Sequence, residues 1–102
     1  MPQPPLIQQH TLRVEQDEVQ SRFNLYDGDD FIGFIQYEQD GDVLSFIHTI
    51  IREEFSRRGY ARALTTIVLE RLWALGLKVD PVCTYTADYL EKHPQYAVLR
   101  AR

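Results

Sequence analysis

The sequence predicts an α+β domain: a mainly antiparallel sheet flanked by one long helix and a short C-terminal helix. Three observations carry that expectation. Apolar and polar residues alternate between Ser21 and Ile51, with Asp-Gly turns interrupting the alternation. After Gly59 the apolar period lengthens to three or four residues. Beyond Asp80 the chain is punctuated by Pro81 and Pro94, which bound a short helical segment.

Met1 to Pro5 holds Pro2, Pro4 and Pro5 and reads as a loose tail, with structure expected from about Leu6. In Ser21–Tyr26, Phe23 and Leu25 alternate with Arg22 and Asn24, the period of a half-buried strand. Asp27-Gly28-Asp29-Asp30 supplies a turn, and Phe31–Glu38 is a second strand. Asp40-Gly41 turns the chain again into Val43–Ile51, rich in β-branched and aromatic residues. The long helix follows, with Ala61, Leu64, Val68, Leu72 and Leu75 as its apolar stripe and Gly76 at its end. Leu77–Cys83 reads as a further short strand, since a residue before proline is biased toward extended geometry. A short helix over Tyr85–Lys92 closes the pattern, with Tyr85, Tyr89 and Leu90 as its core face.

The 102 residues form one domain, residues 1–102, with a hydrophobic fraction of 44% that implies a real core. A net charge of −4 points away from nucleic acid and from anionic membranes. The single cysteine, Cys83, and the lack of a secretory pattern in the first residues favour a reducing, cytoplasmic setting. His10, His48 and His93 are too scattered to suggest a metal site, and the acidic turn at Asp27–Asp30 lacks calcium-loop spacing.

Positive charge is concentrated in one place. Arg52, Arg57, Arg58 and Arg62 surround Gly59 where a strand hands over to the long helix. The first helical turn carries unpaired N–H groups and the positive end of the helix dipole, so this junction suits a phosphate or pyrophosphate. Gly59 lets an anion approach the main chain, and Ala61 keeps the turn open. Arginines at a helix start are more commonly solvated charge paired with neighbours such as Glu53 and Glu54.

The stretch EEFSRRGYARAL resembles the acyl-CoA loop of the GNAT superfamily of N-acetyltransferases, whose form is R/Q-x-x-G-x-G/A. Gly59 and Ala61 match its glycine and its small residue. Ser56 stands where the family has Arg or Gln, and Arg57 at a position that is often glycine. FIHTIIREEFSRRGYARAL and DPVCTYTADYLEKHPQY look like the two signature blocks of the minimal, single-domain (YjdJ-type) branch, so the resemblance spans most of Asp30–Tyr96. It implies a mixed, splayed GNAT sheet. It implies too that acetyl-CoA binds between the strand end Thr49, Ile50 and Ile51 and the turn Ser56, Arg57, Arg58, Gly59, Tyr60, Ala61 and Arg62.

The chemistry implied is acetyl transfer to a primary amine by direct attack in a ternary complex, with acetyl-CoA as cosubstrate and no metal. A main-chain N–H of Ile50 or Ile51 would polarise the thioester carbonyl. The resemblance favours Cys83 as the acid that protonates the departing thiolate, ahead of a role as carrier of the acetyl group itself, although cysteine often merely packs. Tyr85 is the reserve donor, facing the same way as Cys83 if the strand continues. His48 is the best-placed base, ahead of Glu53 and Glu54, while a lone strand histidine is more often a hydrogen-bonded packing residue. The rival readings are a non-catalytic acyl-CoA-binding module and a protein-interaction domain whose arginine turn meets an acidic partner. The amine acceptor and the oligomeric state are not legible in the residues.

Overall fold

A computed structural model describes residues 11–101. Five strands form one sheet in sequence order: β1 (Leu12–Asp17), β2 (Arg22–Asp27), β3 (Asp30–Asp40), β4 (Val43–Ile51) and β5 (Lys78–Asp80). The first four are an antiparallel meander, and β5 returns parallel to β4, making the sheet mixed. Helix α1 (Tyr60–Leu75) connects β4 to β5, and α2 (Thr84–Lys92) leads into a 3-10 stretch at Pro94–Leu99. The chain adopts the expected α+β class and, from β2 onward, the expected order of elements.

All the helical segments pack on one face of the sheet. Phe23 and Leu25 of β2, Ile32, Ile35 and Tyr37 of β3, Leu44 and Phe46 of β4 and Val79 of β5 share a core with Leu64, Val68, Leu69 and Leu72 of α1. Tyr89 and Leu90 of α2 and Tyr96 and Leu99 beyond it complete that core. On the opposite face Arg22 lies over the Phe34 ring at 4.0 Å and Arg13 over Tyr26 at 4.6 Å. These guanidinium groups cover aromatic surface that has no helix above it.

Several local expectations are corrected. The sheet begins one strand before the expected start at Ser21: in β1 Leu12 and Val14 alternate with charged residues and pack against the core. The tail at Met1–Pro5 and the expected start of structure at Leu6 lie outside the described residues. Leu75 is 64% exposed, so the buried stripe of α1 ends at Leu72 and runs instead through Tyr60, Ala63, Leu64, Thr65, Val68 and Leu69. The strand expected over Leu77–Cys83 is only Lys78–Asp80. Pro81 has no N–H to donate, and the chain turns so that Val82 N–H donates to the Asp80 carbonyl at 2.9 Å.

Candidate active site

The candidate site is a gap between β4 and β5. The two strands pair only through Val43–Lys78, Leu44–Val79 and Ser45–Asp80. Past that point β4 carries a bulge. Tyr37 pairs with Phe46 and Gln36 with His48, leaving Ile47 as the extra residue. A bulge bends its strand and re-aims the side chains beyond it. With Pro81 ending β5 on the other side, the strands part, and the Cys83 N–H donating to the Phe46 carbonyl at 2.7 Å ties them at the fork.

Ladder alternation fixes which main-chain groups face the gap. The Arg52 N–H donates to the Ile32 carbonyl at 2.8 Å, so Arg52 points its polar groups at β3. Alternate residues of an antiparallel strand do the same, which assigns Ile50 and His48 to the β3 ladder. The N–H and C=O groups of Thr49 and Ile51 point the other way, toward the gap. Side chains alternate as well: Ile51 packs against the core while His48 and Ile50 are exposed on the opposite face.

Cys83 stands at the fork as the residue preceding α2, with extended backbone angles of φ −67° and ψ 132°. Its thiol lies 3.7 Å from the Thr49 hydroxyl. Burial works to raise the thiol pKa, but the Thr86 N–H, the Thr49 hydroxyl, the Tyr85 N–H and the Thr86 side chain together outweigh it, and the pKa is lowered. The Tyr85 and Thr86 groups are donors that a helix N-terminus offers an anion, and the Thr49 hydroxyl comes from β4. The Thr86 hydroxyl, wholly buried, makes no hydrogen bond of good geometry among the described residues, so the sulfur is the polar atom it can serve.

Tyr85 does not continue a strand beside Cys83, as the sequence reading required of a reserve donor. It lies in the first turn of α2 and is 37% exposed, so it is not part of the core face formed by Tyr89 and Leu90. Its pKa is raised, first by burial, with Arg62 opposing, so its hydroxyl keeps its proton. The influence of Arg62 and Cys83 on Tyr85 brings the starts of α1 and α2 to one side of the molecule.

The arginine turn sits at the far end of the gap. After a 3-10 turn at Glu53–Phe55, Arg57 adopts φ 64° and Gly59 φ 89°, both left-handed. Glycine takes such angles without a Cβ penalty, whereas Arg57 holds one at a cost of about 1–2 kcal/mol. The first helical bond of α1 is Ala63 N–H to the Gly59 carbonyl at 3.0 Å, and no side chain caps the helix. The N–H groups of Tyr60, Ala61 and Arg62 are therefore left for an external acceptor. Arg52 rather than the turn arginines engages the neighbouring acids, with a 2.7 Å ion pair to Glu54. Among the described residues Arg57, Arg58 and Arg62 form no ion pair, and all are exposed with Ser56.

Tyr60 is the exception in this turn, because its side chain points inward and is only 6% exposed. Its hydroxyl donates to the Asp27 carboxylate at 2.6 Å, and the Thr11 hydroxyl donates to the other oxygen at 2.7 Å. The Tyr60 hydroxyl and then Thr11 lower the Asp27 pKa, while burial and Asp27 push Tyr60 up to about 12.

A family model for GCN5-related N-acetyl-transferases matches residues 22–99. The chain belongs to the GCN5-related N-acetyltransferase family. The fold agrees: the solution NMR structure of a GCN5-like protein from Staphylococcus aureus superimposes with a TM-score of 0.67 at 24% identity, covering 88% of each chain. No curated protein matches the sequence. Acetyl transfer is thus the activity class of this GNAT protein, with acetyl-CoA as the family's general cosubstrate and an amine as its general acceptor. Among the described residues no group of His, Cys, Asp and Glu is arranged to hold a metal ion, and no helix is long and apolar enough to cross a membrane.

Sequence reasoning missed Asp27 and Thr86. Asp27 read as a hairpin residue, and nothing in the spacing links it to a helix 33 positions on. Thr86 had a weaker signal, three residues beyond Cys83 at the start of a helix, where its N–H falls within reach of the residue that precedes the helix.

Proposed function

We propose that this protein binds acetyl-CoA across the fork between β4 and β5 and transfers the acetyl group directly to a primary amine. The observation that carries the reading is the alignment of three features along one gap: the uncapped N-terminus of α1 with its exposed arginines, the edge of β4 at Thr49 and Ile51, and the Cys83 thiol at the fork. The pyrophosphate meets the N–H groups of Tyr60, Ala61 and Arg62, with Arg57, Arg58 and Arg62 adding charge from the side. The pantetheine arm runs along β4 and exchanges hydrogen bonds with Thr49 and Ile51, as a further strand would. Of the two candidate N–H groups for the thioester oxygen, that of Ile51 faces the gap, while that of Ile50 is committed to β3.

The reaction then needs few groups. A neutral amine nitrogen attacks the thioester carbon, a C–N bond forms as the C–S bond breaks, and the negative charge on oxygen is held by the main-chain N–H. The departing CoA thiolate takes a proton from Cys83, whose lowered pKa makes it the readier donor beside Tyr85. The nitrogen sheds a proton to water or to His48, which is exposed on the opposite face of β4, the side left open for the acceptor.

The test is acetyl transfer to a panel of primary amines, followed by mass spectrometry of the product. Cys83→Ala is expected to lower turnover by about 100-fold or more, and Tyr85→Phe far less. Full activity in Cys83→Ala removes Cys83 from the mechanism. Binding of acetyl-CoA with no product from any amine marks the protein as a non-catalytic acyl-CoA module.

A further inference from the structure

Tyr60 joins two parts of the molecule that are distant in sequence. Its backbone is the first helical residue of α1, directly between Gly59 and Ala61, and its hydroxyl reaches the last residue of β2. The acceptor there is itself held, since Asp27 also receives the Thr11 hydroxyl at 2.7 Å. The ring is gripped on its flank by Phe55, edge-on at 5.9 Å with an interplanar angle of 89°. Phe55 in turn carries guanidinium groups over its ring, Arg52 at 5.7 Å and Arg58 at 5.9 Å. One connected set of contacts thus runs from Thr11 through Asp27, Tyr60 and Phe55 to Arg58.

Such a tether has a purpose in a turn of this composition. The turn contains two left-handed residues, one of them the strained Arg57, and three exposed arginines that repel one another. Its helix start has no side-chain cap. Its own bonds are all short-range, the Ser56 N–H and hydroxyl to the Glu53 carbonyl at 3.1 and 2.8 Å and the Ala63 N–H to the Gly59 carbonyl, and none of them ties the turn to the sheet. Tyr60 supplies that tie, because a nearly buried hydroxyl must keep its partner and Asp27 sits on the β2–β3 hairpin of the sheet. An apolar residue of the same size would fill the space without fixing the direction.

We propose that Tyr60, held by Asp27, is a positioning residue that orients the main-chain N–H groups of the arginine turn for the pyrophosphate of acetyl-CoA. The inference rests on the site proposed above. It adds that binding energy at the phosphate end depends on a hydrogen bond that touches no ligand atom. Preorganised donors bind an anion more tightly than donors that must be ordered on binding. Removing the tether weakens binding of ligands that carry the pyrophosphate and spares those that do not.

The experiment compares wild type, Tyr60→Phe, Asp27→Ala and Asp27→Asn by calorimetric titration with acetyl-CoA and with acetyl-pantetheine, which lacks the nucleotide and its phosphates. Tyr60→Phe and Asp27→Ala are expected to raise the Kd for acetyl-CoA about fivefold to tenfold while leaving that for acetyl-pantetheine within about twofold. Asp27→Asn keeps an oxygen acceptor for the tyrosine hydroxyl and is expected to recover most of what Asp27→Ala loses. Amide hydrogen exchange of Arg57–Arg62 in the free proteins supplies a ligand-independent measure, with faster exchange expected in Tyr60→Phe. Equal acetyl-CoA affinity in wild type and Tyr60→Phe overturns the inference, as do equal losses for both ligands. If wild type itself fails to bind acetyl-CoA, the site reading falls, and unchanged exchange in Tyr60→Phe would then separately overturn the tether.

Discussion

Gly33 offers the sharpest test of how the open end of β4 is held in place. It is buried on β3, opposite Ile51 of β4. A Cβ there would collide with the Ile50 carbonyl oxygen and stand 2.9 Å from the Ile51 Cα and 2.9 Å from its Cδ1. Two of these neighbours are backbone, in the segment whose outward groups face the gap, so the clash cannot be relieved by turning a side chain. Overpacking of this kind costs about 1–3 kcal/mol, and a backbone collision belongs at the upper end. At about 4–8 °C per kcal/mol for a domain this size, Gly33→Ala should lower the Tm by about 12–24 °C. Gly41→Ala is the control. Gly41, unlike Gly33, has a positive φ, 61°, and open space around it, so that variant carries conformational strain without a collision, about 1–2 kcal/mol. The assay is thermal unfolding followed by circular dichroism. A Gly33→Ala melting point within about 3 °C of wild type, or a smaller loss than in Gly41→Ala, would refute the reasoning.

Other predictions follow from single contacts. Tyr96→Phe removes the 2.6 Å bond to the Glu70 carboxylate while preserving the ring in the core, and should lower stability by about 1 kcal/mol in urea titration. Tyr60 and Tyr96 both titrate near 12, above the ordinary 10.0. A raised pKa contributes stability in full below the unfolded value, so stability should fall as pH climbs from 10 to 12, and Tyr60→Phe should flatten that fall. Asp27 acts in the opposite sense: its lowered pKa adds stability above 3.8 that is lost as pH drops through the folded value, a loss absent in Asp27→Asn. The lowered thiol pKa of Cys83 predicts that its alkylation by iodoacetamide reaches half-maximal rate below pH 9.0, with acetyl-CoA protecting it.

The sheet from β2 to β4 and both helices were legible because their signals are local. Phe23 and Leu25 alternate, Asp-Gly pairs mark the hairpins, and Leu64, Val68 and Leu72 repeat at helical spacing. β1 escaped because its exposed face carries charges and it follows a stretch with no clear period, so that Leu12 and Val14 alone had to signal it. The far end of the Leu77–Cys83 segment escaped because proline permits extended geometry without granting ladder bonds. At the candidate site, the concentration of arginine around Gly59 pointed to the turn. The bulge at Ile47 did not show in the sequence, since VLSFIHTII reads as uninterrupted strand and only pairing with β3 reveals the extra residue. That bulge decides that Thr49 and Ile51, not Ile50, face the gap. Contacts between residues far apart in the chain, such as Tyr60 with Asp27, leave no period to read.

The central claim is that acetyl-CoA binds with its pyrophosphate on the arginine turn. A calorimetric titration of acetyl-CoA into wild type and Gly59→Glu, with the fold of the variant checked by circular dichroism, tests it most directly. Micromolar binding by wild type that is lost in a folded Gly59→Glu variant, where a carboxylate replaces the approach to the main chain, is the predicted result. No heat with wild type at saturating ligand, or equal affinity in the two proteins, would contradict it.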